Sequence, residues 1–118
     1  ECGAVGNGAA LKVVLIDAVI AGVTVVGEAM ALGDAFGLPT ELVTGALASG
    51  PLAGVAGRAF AQGANYPLRL AAKDVTLATA TADLPLLRTV HDWLIAFPEA
   101  GSEDLGQVVQ HIRAQRQA

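Results

Sequence analysis

The chain has 118 residues, 53% of them hydrophobic and 15% charged, so it can bury the core of one domain and is not expected to be disordered. Its formal charge of −4 and its scattered Lys and Arg residues provide no basic patch for nucleic acid. The lone cysteine, Cys2, excludes a disulfide framework and a cysteine-based metal site.

The first predicted element is a long apolar helix that follows a glycine-rich opening. Asn7 is a suitable N-cap, because its side-chain oxygen can accept hydrogen bonds from the N–H groups of the first turn. The helix is predicted from Gly8 to about Leu32. Gly33 or Gly37 should end it, since glycine adopts the left-handed conformation that terminates many helices.

This first helix is apolar enough to raise the question of a membrane span. Residues 13–32 carry only two charged side chains, Asp17 and Glu28. A span needs about 20 apolar residues, and a carboxylate well inside it is costly. We therefore expect a central helix that is buried by its own domain or by a second subunit, in a cytoplasmic protein with no membrane partner.

Helical periodicity continues along the rest of the chain, and no stretch alternates at period 2 for more than a few residues. A helix capped by Thr40 is predicted up to the break at Ser49-Gly50-Pro51, and a short helix within residues 51–65 is predicted before a turn at Gly63-Ala64-Asn65. The next helix is predicted from Leu68 to Ala82, with Pro67 in its first turn. Two more follow, one from Leu86 to Phe97 capped by Asp83 and a last one from Leu105 to about Arg113. The predicted fold is a single all-α domain of five or six helices around the long first one.

The same periodicity assigns side chains to the core and to the surface. Core positions are predicted for Leu70, Val75, Leu77, Ala78, Leu87, Val90, Trp93, Leu94 and Phe97. Arg58 and Arg69 are predicted to be surface charges. His91 and His111 are far apart, with no second ligand at metal-binding spacing, so no metal site is expected.

The glycine-rich opening is the best candidate for a functional site. It lacks the Gly-Lys-Ser/Thr of a phosphate-binding loop, and no strand precedes it, so it does not read as a nucleotide-binding fingerprint. A turn at Gly6-Asn7-Gly8 would expose backbone N–H groups at a helix N-terminus, which favours a carboxylate or phosphate. Lys12, about one turn further on, could act there as a general acid or base, or could simply extend its ammonium to water.

Three stretches resemble the C-terminal domain of the β-hydroxyacid dehydrogenases, the family of 3-hydroxyisobutyrate dehydrogenase and 2-hydroxy-3-oxopropionate reductase, related to 6-phosphogluconate dehydrogenase. They occur in the family's order and spacing along nearly the whole chain. They are Gly3-x-x-Gly6-x-Gly8-x-x-x-Lys12, then Glu28-Ala29-Met30-Ala31-Leu32-Gly33 closing with Gly37-Leu38, and Leu70-Ala71-Ala72-Lys73-Asp74-Val75-Thr76-Leu77-Ala78.

The resemblance implies an enzyme that binds NAD or NADP mainly through an N-terminal Rossmann domain, which this chain does not include. The chain, residues 1–118, would then be the helical substrate and dimerisation domain, inactive alone, with homodimers formed through the long first helix. In that scheme Lys12 is the catalytic acid/base, and Gly6, Asn7 and Gly8 face the substrate. Lys73 contacts the cofactor end of the cleft, and its neighbour Asp74 is structural.

One departure from the family pattern leaves the substrate open. The family carries asparagines three and four residues after the lysine, whereas this chain has Leu15 and Ile16. A residue four positions on shares the lysine's helix face, so Ile16 makes that side apolar, and Asp17 is rotated by about 100° from it. Two alternatives follow: an enzyme similar to the imine reductases, and a non-catalytic helical dimerisation module.

Overall fold

The computed structural model describes residues 3–117, so the expectation for Cys2 lies outside the described residues. Over this range the chain forms six α-helices and no named strand, which confirms the predicted all-α domain. The helices are α1 (Gly3–Ala35), α2 (Thr40–Ser49), α3 (Ala53–Ala59), α4 (Leu68–Thr81), α5 (Pro85–Ile95) and α6 (Val108–Gln117), with short 3-10 turns at Pro98–Ala100 and Leu105–Gln107.

Helix α1 is the spine of the domain, and it begins earlier than predicted. It starts at Gly3, so the prediction of Asn7 as its N-cap is wrong, and residues 6–8 are helical. Once a helix is nucleated, each further residue adds a hydrogen bond, which offsets the low helix propensity of the glycines. At about 1.5 Å per residue its 33 residues span roughly 50 Å, close to the 55 Å longest dimension of the chain.

The end of α1 follows the glycine signal in the sequence. Gly37 has a positive φ of 74°. Its N–H donates to the carbonyl of Asp34, and the N–H of Leu38 donates to the carbonyl of Gly33. This pair of hydrogen bonds is the Schellman motif, in which a left-handed glycine turns the chain out of a helix. Gly37 therefore redirects the chain so that α2 can begin three residues later.

Helix α6 packs along the second half of α1 more extensively than any other element. The contact is close at Gly27, where an added Cβ would lie 2.7 Å from Ile112 Cδ1 and 3.3 Å from the backbone of Val109. Arg113 closes the same interface with two hydrogen bonds of 2.8 Å to the carboxylate of Asp34. The first and last helices are thus joined by both packing and an ion pair.

The hydrophobic core lies between the second half of α1 and helices α4, α5 and α6. Its largest fully buried side chains are Ile20, Val23, Val26, Met30, Leu68, Val75, Leu105, Val108, Val109 and Ile112. Val75, Ala78, Val90, Leu94 and Phe97 are buried as predicted. Leu70 and Leu77, also predicted as core residues, are about half exposed, because α4 buries the stripe of Leu68, Ala71, Ala72, Val75 and Ala78 instead.

Two predicted helix caps are absent. Pro39, not Thr40, occupies the N-cap of α2, and Leu84, not Asp83, occupies that of α5. Asp83 pairs instead with Arg88 on the surface. Trp93 is only partly buried: its ring packs against the core and stacks with Phe97, while its indole N–H donates to Glu28 Oε2 over 2.7 Å.

Residues 6–15 form the N-terminal segment of α1, and every side chain in it is exposed. The rest of the domain packs on α1 only from Ile16 onward. Residues Gly6–Ala35 are also long and apolar enough to cross a membrane, with a mean hydropathy of 2.2 and 28% of the most apolar window buried. The core helix of a soluble protein meets the same criteria, so the expected cytoplasmic location stays a prediction.

Candidate functional site

The glycine-rich opening does not form the turn that the sequence indicates. Because α1 begins at Gly3, the N–H groups of Asn7 and Gly8 are positioned to bond to carbonyls four residues back in the helix. They are therefore not free for an anionic ligand, and that part of the prediction is wrong. Gly6, Asn7 and Gly8 are exposed, and their predicted contact with substrate stays a prediction.

Lys12 lies in the N-terminal segment of α1 and is the single charged residue of that segment. Its large neighbours are exposed apolar side chains, namely Leu11, Val13, Val14 and Leu15. Among residues 3–117 it has no hydrogen-bonding or ion-pair partner. Ile16, half-buried one turn further on, is in apolar contact with the core. In this chain the ammonium is therefore a solvated cation on an apolar surface.

Lys73 and Asp74 are adjacent in α4 but point in different directions. At about 100° per residue, Lys73 lies roughly opposite the buried stripe of α4, and its side chain is exposed. Asp74 is half-buried and accepts a hydrogen bond from the Tyr66 hydroxyl. The predicted cofactor contact of Lys73 stays a prediction.

Asp17 is a buried acid, and its burial was not evident from the sequence alone. Its side chain is 4% exposed, and neither carboxyl oxygen has a hydrogen-bonding partner among the described residues. Burial raises the pKa of Asp17 above its usual value of 3.8, and the nearby charge of Asp74 raises it further. A buried carboxyl group without a partner is rare in folded proteins, so its presence calls for a physical explanation.

Tyr66 lies close enough to Asp17 and Asp74 for both charges to act on its hydroxyl. Burial raises the pKa of the Tyr66 hydroxyl, and the hydrogen bond to Asp74 and the charges of Asp74 and Asp17 raise it further. The hydroxyl therefore stays protonated at neutral pH and donates to Asp74. Together the three side chains form an acidic cluster, defined here as Asp17, Tyr66 and Asp74, in which no cation takes part.

Asp104 is the anchor that holds Tyr66 in place. It accepts two hydrogen bonds from Arg58, of 3.0 and 2.8 Å, one of 2.8 Å from the backbone N–H of Tyr66 and one of 2.9 Å from that of Gly106. Burial alone would raise the pKa of Asp104, but these hydrogen bonds and the charge of Arg58 outweigh it and lower the pKa to about 2. Arg58, predicted to be a plain surface charge, is thus a structural partner. Arg69 is exposed as predicted.

The two histidines occupy separate places. His91 Nε2 lies 3.1 Å from Thr76 Oγ1, and His111 Nε2 lies 2.9 Å from Glu103 Oε1, with its ring stacked on Phe97. Within residues 3–117, no three His, Cys, Asp or Glu side chains converge in the way a metal site requires. Each histidine has a structural contact that accounts for its position.

A pocket of about 580 Å³ opens between the first half of α1 and the α4–α5 connection. We call it the α1–α4–α5 pocket. Its lining residues are Ala10, Val13, Val14, Asp17, Ala18, Ala21, Ala78, Thr81, Ala82, Leu84, Leu86 and Leu87. Asp17 and Thr81 supply the polar side chains, and the rest of the lining is apolar. The volume lies within the range of small-molecule sites in proteins, about 300–1,000 Å³.

Asp17→Asn is expected to make the folded chain more stable than wild type at about pH 7, by an amount that shrinks as the pH falls toward about 4. The pKa of Asp17 is raised on folding, so its contribution to stability is present below 3.8 and is lost as the pH rises through the raised value. Asparagine has no charge to bury. Urea denaturation of both proteins across this pH range measures the difference.

The matched control is Asp92→Asn, which changes the same atoms at an exposed position of α5. Its stability should stay close to that of wild type at every pH, because an exposed carboxylate keeps its hydration. A stability difference for Asp17→Asn that is constant across the pH range, or that grows on acidification, would contradict the assignment of a buried charge to Asp17.

Comparison of the chain with protein-family models and with curated proteins found no match in either set. The functional assignment therefore depends on the residues themselves and on the surfaces that the fold leaves uncovered.

Proposed function

We propose that the chain is the helical C-terminal domain of an NAD(P)-dependent oxidoreductase that transfers a hydride between nicotinamide and a small β-hydroxyacid or a related carbonyl compound. The motifs around Lys12 and Lys73 support this proposal through their resemblance to the β-hydroxyacid dehydrogenases. The observation that carries it is the position of Lys12, a lone cation among exposed apolar side chains in the N-terminal segment of α1.

Such a surface is suited to be covered by a second domain. Large exposed apolar side chains mark interaction surfaces in soluble proteins, and Leu11 and Leu15, which flank Lys12, are each more than half exposed. When a Rossmann domain covers this surface, Lys12 lies at the edge of an interdomain cleft. Loss of bulk water there strengthens the interaction of its ammonium with a substrate oxygen.

In this proposal Lys12 handles the proton of the reaction. Its Nζ would donate a proton to the carbonyl oxygen of the substrate, and in the oxidation direction it would take the hydroxyl proton back. A bound nicotinamide would supply or accept the hydride at the carbonyl carbon. Ile16, on the same helix face one turn away, provides an apolar wall where the family has an amide. This residue favours substrates with an apolar group at that position.

The proposal assigns the nucleotide phosphates to another domain. The backbone N–H groups of Asn7 and Gly8 are used within α1, and the described residues offer no glycine-rich loop that opens a helix after a strand. Binding of NAD or NADP is therefore assigned to a preceding Rossmann domain. From this chain, exposed Lys73 is the residue proposed to contact the cofactor.

The test is an activity screen of the longer protein that contains this chain. We expect it to oxidise NADH or NADPH when supplied with a small oxo acid, a semialdehyde or a cyclic imine, and the chain 1–118 alone to show no turnover. Binding of neither nucleotide by the longer protein would overturn the proposal, as would full activity of residues 1–118.

A dimerisation module is the second candidate. The exposed apolar side chains of the N-terminal segment of α1, together with Leu15 and Ile16 in place of the family's asparagines, favour a helix that pairs with its copy. Light scattering on the chain and the activity screen separate the two candidates. A stable dimer whose longer parent reduces no carbonyl or imine would favour the module.

A further inference from the structure

The α1–α4–α5 pocket and the catalytic candidate Lys12 lie on different sides of α1. At about 100° per residue, the pocket-lining positions Ala10, Val14, Asp17 and Ala21 cluster on one face of the helix, and Lys12 is roughly opposite that face. The chemistry proposed for Lys12 therefore leaves the pocket unused, and Asp17 has no role in it.

Within residues 3–117, Asp17 is the one ionisable residue that lines this pocket. The residue is 4% exposed, and neither carboxyl oxygen has a partner among the described residues. An unpartnered buried acid that lines a cleft marks a candidate functional site. Thr81, the other polar lining residue, already donates its hydroxyl to the carbonyl of Leu77 and so does not compete for Asp17.

The charges around Asp17 determine which ligand would complement it. Asp74 is close enough for its charge to act on Asp17, and the Tyr66 hydroxyl is already donated to Asp74. None of the residues that line the pocket is a lysine, an arginine or a histidine. The described pocket lining therefore contains an acidic side chain and no basic one, which favours a cation or a strong hydrogen-bond donor over a carboxylate.

The remaining walls determine the body of the ligand. Val13, Leu84, Leu86 and Leu87 and several alanines provide hydrocarbon surface, and Leu86 is 65% exposed. Covering this surface with an alkyl or aryl group removes apolar area from water. We propose that the α1–α4–α5 pocket is a binding site for a small apolar amine, with the amine nitrogen donating to Asp17.

This proposal concerns a binding site on the chain itself and does not depend on hydride transfer, a nucleotide or a second domain. Its test is a titration of the 118-residue chain at about neutral pH, where alkylamines are protonated. The probes are n-hexylamine, 1-hexanol and hexanoate, which share an apolar body and differ in the head group. Binding is followed by isothermal calorimetry and by amide chemical shifts of residues that line the pocket.

We expect hexylamine to bind at least tenfold more tightly than 1-hexanol, and hexanoate to bind more weakly than either. Asp17→Asn should remove the preference for the amine over the alcohol while leaving hexanol binding in place, which shows that the pocket is still folded. The control Asp92→Asn should bind all three compounds as the wild-type chain does, because Asp92 is exposed on α5 and outside the pocket lining.

Three results would overturn the proposal. Equal affinity for amine and alcohol in the wild-type chain would remove the role of Asp17, and so would a preference for the amine that persists in Asp17→Asn. If light scattering shows a dimer that hexylamine dissociates, then a side chain of a second copy fills the pocket, and the small-amine proposal is wrong. The affinities of the wild-type chain, those of Asp17→Asn and the light-scattering result do not depend on nucleotide-dependent activity. Failure of the proposed function would therefore leave them unchanged.

Discussion

Asp104→Ala is expected to lower the free energy of unfolding by about 3 kcal/mol, the range found when one partner of a buried ion pair is removed. The carboxylate accepts four hydrogen bonds, two from Arg58 and two from the backbone N–H groups of Tyr66 and Gly106. Its side chain is only 14% exposed, so water replaces these contacts poorly. Urea denaturation followed by circular dichroism measures the loss.

The pH dependence of the same group supplies a second readout of this variant. The pKa of Asp104 falls from 3.8 to about 2 on folding, which corresponds to about 2 kcal/mol of stability above pH 3.8. This contribution disappears as the pH falls through about 2, because the carboxylate becomes protonated in the folded state as well. The difference between wild type and Asp104→Ala should therefore narrow in acid.

The control is Asp83→Ala, which removes an aspartate that also pairs with an arginine. Asp83 and Arg88 are 84% and 56% exposed, so their pair should contribute less than about 1 kcal/mol. If the free energy of unfolding fell equally in the two alanine variants, the role of Asp104 as an anchor for Tyr66 and Gly106 would be wrong.

Lys12→Ala in the longer protein is expected to lower kcat by at least about 100-fold, the lower end of the range for general acid–base catalysis. The affinity for NAD(P)H should change little, since the proposal assigns the nucleotide to another domain. Lys12 makes no hydrogen bond or ion pair within the described residues, so its removal should not destabilise the fold. Steady-state kinetics with nucleotide binding measured in parallel tests the prediction.

Lys73→Ala is the comparison variant, because Lys73 is also an exposed lysine without a partner in the described range. It should raise the KM for the nucleotide more than it lowers kcat, since it is proposed to contact the cofactor and not to move a proton. Activity of Lys12→Ala close to that of wild type would remove Lys12 from the mechanism.

The helices could be read from the sequence because their signals are local. Pro67 before α4 and the glycine turn after α1 act within a few residues, and the stripe of Val90, Leu94 and Phe97 repeats at helical spacing. The sequence predicts too late a start for α1 because the glycines at its beginning are typical of a turn. Extension from the stable helix behind them overrides that local preference.

The features that local pattern did not reveal are pairings over long sequence separation. Arg58 and Asp104 are 46 residues apart, and nothing near either residue indicates the other. Asp17 was visible as a charge in an apolar run, but its burial depends on how α4 packs beside α1. Likewise, Leu70 and Leu77 fit a helical stripe, and only the direction from which α1 and α5 approach decides which stripe is buried.

The packing of α6 against Gly27 bears on how the protein is made. On the ribosome α1 emerges before α6, so the apolar surface at Gly27 has no cover until residues Val109, Ile112 and Arg113 have been synthesised. A chain that stops short of α6 leaves this surface exposed and prone to self-association. The domain therefore reaches its folded state only after α6 has been synthesised, and chaperones that bind exposed apolar segments have about 80 residues of synthesis in which to act on α1.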